Sequence, residues 1–301
     1  MTRVVFVLVP EVHLLDLAGP AQVFGTGASL GHPYELRYVA AREQVTSAQG
    51  LPLTAETSWP GLTADDLVVV PGWRAAPLRK PLRPEDLERL RAHHAAGGTV
   101  ASVCAGADAL GQAGLLDGRR CTTHHDLQDE LAARYPRATV IRDVLFTVDD
   151  RVVTSAGIAS GIDLALHLFA VRHGPAAAAR VAREMVVYAR RNGHEPQASA
   201  MLRHRSHVDD TVHRVQDLID SRFTEALPLA YLAAHVRVSE RTLTRAFTRA
   251  TGLTPLRYQQ TLRLERAQHL ISHGTMVESA AREVGFEDAR MLRRLRGRSG
   301  A

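Results

Sequence analysis

Two short stretches of the chain combine residue types and spacings that could do chemistry. The first surrounds Cys104, in GTVASVCAGADALGQ starting at Gly98. Residues 99–103 form a short apolar, β-branched run, which predicts a buried strand. Ala105 and Gly106 are small, and a helical pattern follows them. A residue on such a sharp strand-to-helix turn is held forward of its neighbours, and the tight turn needs small residues beside it. The start of the next helix favours negative charge, so we expect a lowered thiol pKa and a population of thiolate. The same residue types also suit a small buried cysteine without chemistry. The spacing does not separate these two readings.

The second stretch begins near Leu229. Leu229, Leu232, Ala233 and Val236 mark one face of a short helix. Arg237 and Val238 form a tight turn, and Ser239 is a good N-cap because its hydroxyl can accept from freed backbone donors. Leu243, Ala246 and Phe247 then form an apolar stripe on a second helix, while Arg241, Thr244, Arg245 and Thr248 lie opposite. A short helix, a tight turn and a capped helix with a basic outer face follow helix-turn-helix logic. In that arrangement the second helix enters the major groove, and an Arg fork can donate twice to guanine. We assign base reading to Arg241, Thr244 and Arg245. Arg237 and Arg249 lie nearer the phosphates, with Ser239 and Thr248 in the same DNA-facing set. An ordinary helical hairpin with a solvated Arg face would share the spacing.

These stretches need scaffolds to hold them. Before residue 170 the chain alternates strand and helix signals. Strands are expected at residues 4–9, 34–40, 65–72 and 99–103, with a further pair around a turn at Asp149 and Asp150. Helices are expected at 14–24 and 84–98. This alternation implies a mostly parallel sheet covered on both faces. Two more helices are expected at 160–172 and 176–190. Residues 191–207 are polar and lack a period, so we take them as a linker. From residue 208 every signal is helical. The domains are therefore expected at 1–190 and 208–301.

The charge divides in the same way. Residues 201–301 carry 17 Arg and 11 acidic residues, while the first 200 sum to −1. A near-neutral domain joined to a basic one points to a polyanion partner for the basic part. Arg replaces Lys almost throughout, the one Lys being Lys80. The apolar start is interrupted by Pro10, Glu11 and His13, so it reads as a core strand rather than a signal peptide. No stretch approaches the roughly 18 apolar residues of a membrane span. Two cysteines, Cys104 and Cys121, make no disulfide framework. A cytoplasmic protein is the expectation. His13, His93 and His94 lack a matching set of ligands, and His124 next to His125 is weak support for a metal. No metal site and no cofactor are expected.

The C-terminal stretch resembles the AraC/XylS family of bacterial regulators. The matching residues are Leu232 and Ala233, SERTLTRAF from Ser239, TGLTP from Thr251, and RLERAQHLI from Arg263. The resemblance implies a long connecting helix over 256–273. It also implies a second helix-turn-helix over 276–298, containing Gly285 and Phe286, with Arg290, Arg293 and Arg294 facing DNA. One position departs from the pattern. The second unit has Leu292, but Arg296 stands where the first unit would place Phe247, so Leu295 is the expected substitute. The family's final helix has no counterpart before Ala301. The second unit is accordingly expected to be the weaker, contributing mainly charge or folding on DNA.

The N-terminal residues VCAGADAL and CTTHH, with LLDLAGPAQVF from Leu14, resemble the DJ-1/PfpI family. Within it they resemble the GlxA-like branch fused to AraC-type readers. The resemblance implies an α/β, flavodoxin-like fold of the glutamine-amidotransferase-like type, followed by the all-α domain with two helix-turn-helix units. It makes Cys104 the elbow residue, His124 its neighbouring histidine, and Asp16 the acid beside the thiol. The function implied is a DNA-binding transcriptional regulator with double-stranded DNA as partner, a homodimer through the N-terminal domain, and a small-molecule effector or oxidant as signal. The alternative is a Cys104-dependent enzyme, isonitrile-hydratase-like or hydrolase-like, with a vestigial reader.

Overall fold

A computed structural model describes residues 1–74, 82–187, 193, 197, 204, 205, 207–272 and 274–299. The chain divides into two compact units, Met1–Gln197 and Ala198–Ala301. The division falls inside the expected linker. Gly193 accepts backbone bonds from Leu145 and Phe146 of the first unit. His204 and Arg205 bond instead to the second unit, His204 Nδ1 at 3.0 Å from the Thr251 carbonyl oxygen and Arg205 to Asp217 and Asp220.

The first unit is built on a six-stranded sheet, in the order β2-β1-β5-β6-β10-β9. Its strands are β1 (Thr2–Leu8), β2 (Tyr34–Ala40), β5 (Leu67–Val70), β6 (Thr99–Val103), β9 (Phe146–Asp149) and β10 (Val152–Ser155). All pair in parallel except β9, which runs antiparallel to β10 around Asp150 at φ 55°. Central strands buried on both faces explain the unbroken apolar runs: Val4, Val5 and Phe6, and Val68, Val69 and Val70, are wholly buried. The helices are α1 (Leu14–Ser29), α2 (Pro84–Ala95), α3 (Gly106–Gln112), α4 (Gln128–Arg134), α5 (Ser160–His173) and α6 (Pro175–Glu184).

Four features differ from the sequence expectation, one being helix α4, which was not expected. Helix α1 runs to Ser29 rather than residue 24 and carries Pro20 inside it. Helix α6 ends at Glu184, and Val186 takes φ 54°, which stops the helix before the expected 190. Residues 188–190 lie outside the described ones. The hairpin β3 (Gln44–Thr46) and β4 (Pro52–Thr54) and the pair β7 (Arg120–Cys121) and β8 (Thr139–Val140) were not expected. Two or three residues are too few to show a period.

The second unit is helical: α7 (Asp210–Arg222), α8 (Leu229–His235), α9 (Glu240–Thr251), α10 (Pro255–Ser272), α11 (Val277–Glu283) and α12 (Ala289–Ser299). It holds two apolar cores. One gathers Val212, Ile219, Leu232, Leu243, Phe247 and Tyr258 around α8 and α9. The other gathers Ala267, Val284, Phe286, Leu292 and Leu295 around α11 and α12. The expected weakness of the second unit is therefore not visible in its packing. Leu292 is fully buried and Leu295 is 7% exposed, so Leu295 supplies an apolar contact to this core. Among the described residues, no helix is long and apolar enough to cross a membrane.

Candidate functional site

The reading face is assembled by local rules. Helix α8 ends at His235 with Val236 as its C-cap, and Arg237 turns the chain at φ 58°. The Val238 N–H returns to the Ala233 carbonyl, a closure typical of a helix stop. Ser239 Oγ then accepts from the Thr242 N–H at 3.1 Å and starts α9. Leu243 and Phe247 are fully buried, which turns Arg241, Arg245, Thr248 and Arg249 outward and leaves Thr244 half-buried. Arg241, Thr244, Arg245, Thr248 and Arg249 line one shallow groove together with Glu240. Glu240 was missed in the sequence because an acid in a helix's first turn reads as a dipole partner. In the groove it can accept from a cytosine amine. Arg249 also lies 3.9 Å from Asp209.

The second unit repeats this geometry. Gly285 turns the chain at φ 86°, and the Phe286 N–H returns to the Ala281 carbonyl at 2.9 Å. Asp288 Oδ1 accepts from the Arg290 and Met291 N–H groups at 2.8 and 3.1 Å. Arg290, Arg293 and Arg294 are exposed. Arg293 is already engaged, donating to Glu278 at 2.6 Å.

The cysteine pocket lies at the carboxyl ends of four neighbouring strands, where open α/β sheets place their ligand crevices. Strand β6 delivers Cys104, which sits at φ 56° and is 6% exposed. The elbow expected from the sequence is thus present. The loop after β1 leads into α1 and brings in Asp16, which is fully buried. The loops after β5 and β10 bring Gly72 and Gly157. A Cβ on Gly72 would stand 2.7 Å from the Cys104 Cβ, and one on Gly157 would stand 2.8 Å from Sγ. Both positions must therefore be glycine for the thiol to fit. Ile158 N–H donates to Asp16 Oδ1 at 2.6 Å. Gly72, Gly157 and Ile158 are pocket residues that sequence reasoning missed, since ordinary turn glycines look the same in a string. Asp16 Oδ2 is buried, lies beside Cys104, and lacks a well-formed hydrogen bond.

The electrostatics run against the expected lowering of the thiol pKa. Burial pushes the Cys104 thiol up, and the neighbouring Asp16 charge adds to this. A backbone bond at Ala105 opposes them with smaller effect. Burial raises Asp16 as well, against the Ile158 hydrogen bond. The start of a seven-residue helix does not outweigh desolvation of a thiol next to a carboxyl group.

His124 caps the short turn at residues 125–127, its Nδ1 accepting from the Asp126 N–H at 3.4 Å. Burial lowers its pKa. Thr123 beside it donates to the Cys104 carbonyl at 2.8 Å. His124, His125 and Asp126 bring three ligand atoms within 4.8 Å of one another. They are consecutive residues, and His125 and Asp126 are exposed. Contacts of 3.6 Å from His124 Nδ1 and 3.3 Å from His125 Nε2 to the Asp126 carboxylate account for the cluster as it stands. Cys121 is fully buried in β7.

With this geometry in place, residues 2–171 match the DJ-1/PfpI family and residues 232–298 match a helix-turn-helix domain. The chain belongs to the DJ-1/PfpI family and carries an AraC-type helix-turn-helix domain behind it. Among its relatives is the HTH-type transcriptional regulator GbdR of Pseudomonas aeruginosa, 30% identical over 234 residues. That alignment covers 77% of this chain and 63% of the relative, so a little under two thirds of GbdR's length is spanned. The isonitrile hydratase of Pseudomonas putida is 37% identical over 168 residues, covering 54% of this chain and 68% of that enzyme. A crystal structure of an AraC family transcriptional regulator from Pseudomonas putida superposes with a TM-score of 0.53 at 26% identity. It covers 62% of this chain and all of its own.

Proposed function

We propose that the chain is a sequence-selective DNA-binding transcriptional regulator acting in the cytoplasm. The observation that carries this reading is the α9 face: a capped, exposed helix whose core-facing residues aim Arg241, Thr244 and Arg245 at one groove. Arg237, Ser239, Thr248 and Arg249 flank it toward the phosphates, and Arg290, Arg293 and Arg294 extend the contact through α12. The reading is tested by selecting genomic fragments with the purified protein and measuring binding across salt. Affinity should fall steeply as salt rises, through counterion release. Arg245→Ala should cost about 1–3 kcal/mol at its base and relax specificity there. Unchanged affinity and preference in that variant would remove the assignment.

The α/β domain is proposed to dimerise the reader and to sense a small molecule or an oxidant through Asp16, Cys104 and His124. Tethering a second reader raises affinity without a new contact. A groove of about 510 Å³ between α1 and strands β2 and β4, with Leu51 half exposed, supports an apolar contact on this domain. Equal DNA affinity before and after peroxide would eliminate oxidant sensing.

One observation favours a second reading, an enzyme acting through Cys104. The residue is held at a positive φ beside a buried acid, and the isonitrile hydratase is similar over this domain. Turnover of an isonitrile that Cys104→Ala abolishes, without DNA retained at physiological salt, would replace the regulator with the enzyme.

A further inference from the structure

Arg263 belongs to the basic residues of the reading domain, yet its charge is spent inside the fold. It lies on α10, one turn after the buried Gln259. Helix α10 serves both cores, giving Tyr258 and Leu262 to the first and Leu264 and Ala267 to the second. Arg263 stands at the boundary. Its Nε donates to the Phe223 carbonyl at 2.6 Å and its Nη2 to the Glu225 carbonyl at 2.8 Å. Its Nη1 donates to the Gly285 carbonyl at 2.7 Å. Gln259 Nε2 reinforces the first two carbonyls at 3.0 and 2.7 Å. The guanidinium also stands 5.7 Å from the centroid of the Phe286 ring.

These carbonyls come from two places that the sequence keeps 60 residues apart. Phe223 and Glu225 lie in the loop that leads into α8, the first helix of the first reading unit. Gly285 is the turn of the second unit. The two backbones touch directly, because a Cβ on Gly285 would overlap the Thr224 carbonyl. Phe223 packs against both cores. A guanidinium holds its donors in a fixed plane, so three bonds to three carbonyls define an angle as well as a distance. An ammonium could replace the charge but not the angle.

The geometry points to Arg263 as the positioning residue that sets the spacing between the two reading helices, α9 and α12, and so the spacing of the two DNA elements the domain selects. This rests on the DNA-reading function proposed above. Arg263 acts through the placement of α11 and α12 and does not itself meet a base or a phosphate.

The test uses the full chain. Fragments selected by the wild-type protein define the two elements, and a probe series then inserts or deletes one or two base pairs between them. The wild-type protein should lose at least about ten-fold in affinity when one base pair is inserted. In Arg263→Gln that penalty should shrink to under about three-fold, while affinity for a probe holding only the first element stays unchanged. Arg263→Lys should fall between the two. An unchanged spacing penalty in both variants would overturn the role. Loss of amide protection across α8 and α9 in both would also overturn it, because Arg263 would then be holding the first unit itself. Spin labels on cysteines replacing His235 and Glu287 give a readout without DNA, and Arg263→Gln should broaden a narrow distance distribution. If the wild-type chain selects no DNA but the labels behave as expected, the reader assignment fails and the brace stands. A distribution equally narrow in wild type and variant removes the brace, whatever the DNA result.

Discussion

The two helix-turn-helix units reach the same backbone by different chemistry. Each first helix stops at a valine, Val236 or Val284, and each turn residue takes a positive φ. Each turn closes with the same bond pattern, Val238 to Ala233 and Phe286 to Ala281. In the first unit the turn residue is Arg237, which is exposed. A non-glycine residue in that conformation costs roughly 1–2 kcal/mol, which the surrounding core offsets. In the second unit the turn residue is Gly285, whose missing side chain lets the turn lie on the Thr224 backbone. The first turn keeps an exposed charged side chain. The second gives up a side chain to be held in place. The caps differ likewise: a Ser hydroxyl accepting one backbone N–H starts α9, and an Asp carboxylate accepting two starts α12.

The contrast can be broken most sharply at Gly285. Gly285→Ala adds backbone strain to a direct overlap, together roughly 2–6 kcal/mol. It should release α11 and α12 while α8 and α9 stay protected in hydrogen exchange. Equal loss of protection in both units would show that they fold as one. Leu295→Ala comes next, at about 2–5 kcal/mol, the range for deleting buried leucine side chains. The near end of that range is expected, since Leu295 is not wholly enclosed. A stability change under about 0.5 kcal/mol, measured by urea unfolding, would mean that Leu295 does not stand in for the apolar residue missing at 296.

The caps provide a smaller, paired measurement. Ser239→Ala and Asp288→Ala should each cost about 1 kcal/mol. The first should lower protection in α9 and the second in α12, with no crossover. Last is Glu278→Gln, which frees Arg293 from its exposed partner. Such pairs contribute about 0–1 kcal/mol to stability, so the fold should be unaffected. DNA binding should tighten, and its salt slope should steepen by about one unit as another phosphate is engaged. An unchanged slope would mean that Arg293 never reaches the backbone.

Much of this architecture was legible in the chain. Strands β2 and β6 were located to the residue, and so was the Ser239 cap, because alternation, caps and breakers act within a few residues. The substitution of Leu295 for position 296 was also readable, as helical spacing alone places the two on neighbouring rows. The cysteine pocket was legible in part. Cys104 announced its elbow, but Gly72, Gly157 and Ile158 did not, because each comes from a different loop and matters only where the strand ends converge. The direction in which the thiol shifts was misread for a related reason. Helix starts can be seen in a sequence, whereas the burial of Asp16 and Cys104 beside each other cannot.

By itself, then, the sequence determined the order of the elements, the basic face of α9 and the identity of the elbow residue, all properties of neighbours along the chain. Tertiary structure alone decided that Cys104 is buried beside Asp16, where desolvation pushes its thiol up rather than down. It also decided that Arg263 binds carbonyls from residues 223, 225 and 285 rather than facing solvent. Desolvation and a three-point hydrogen-bond geometry arise only when segments far apart in the chain are brought to the same place.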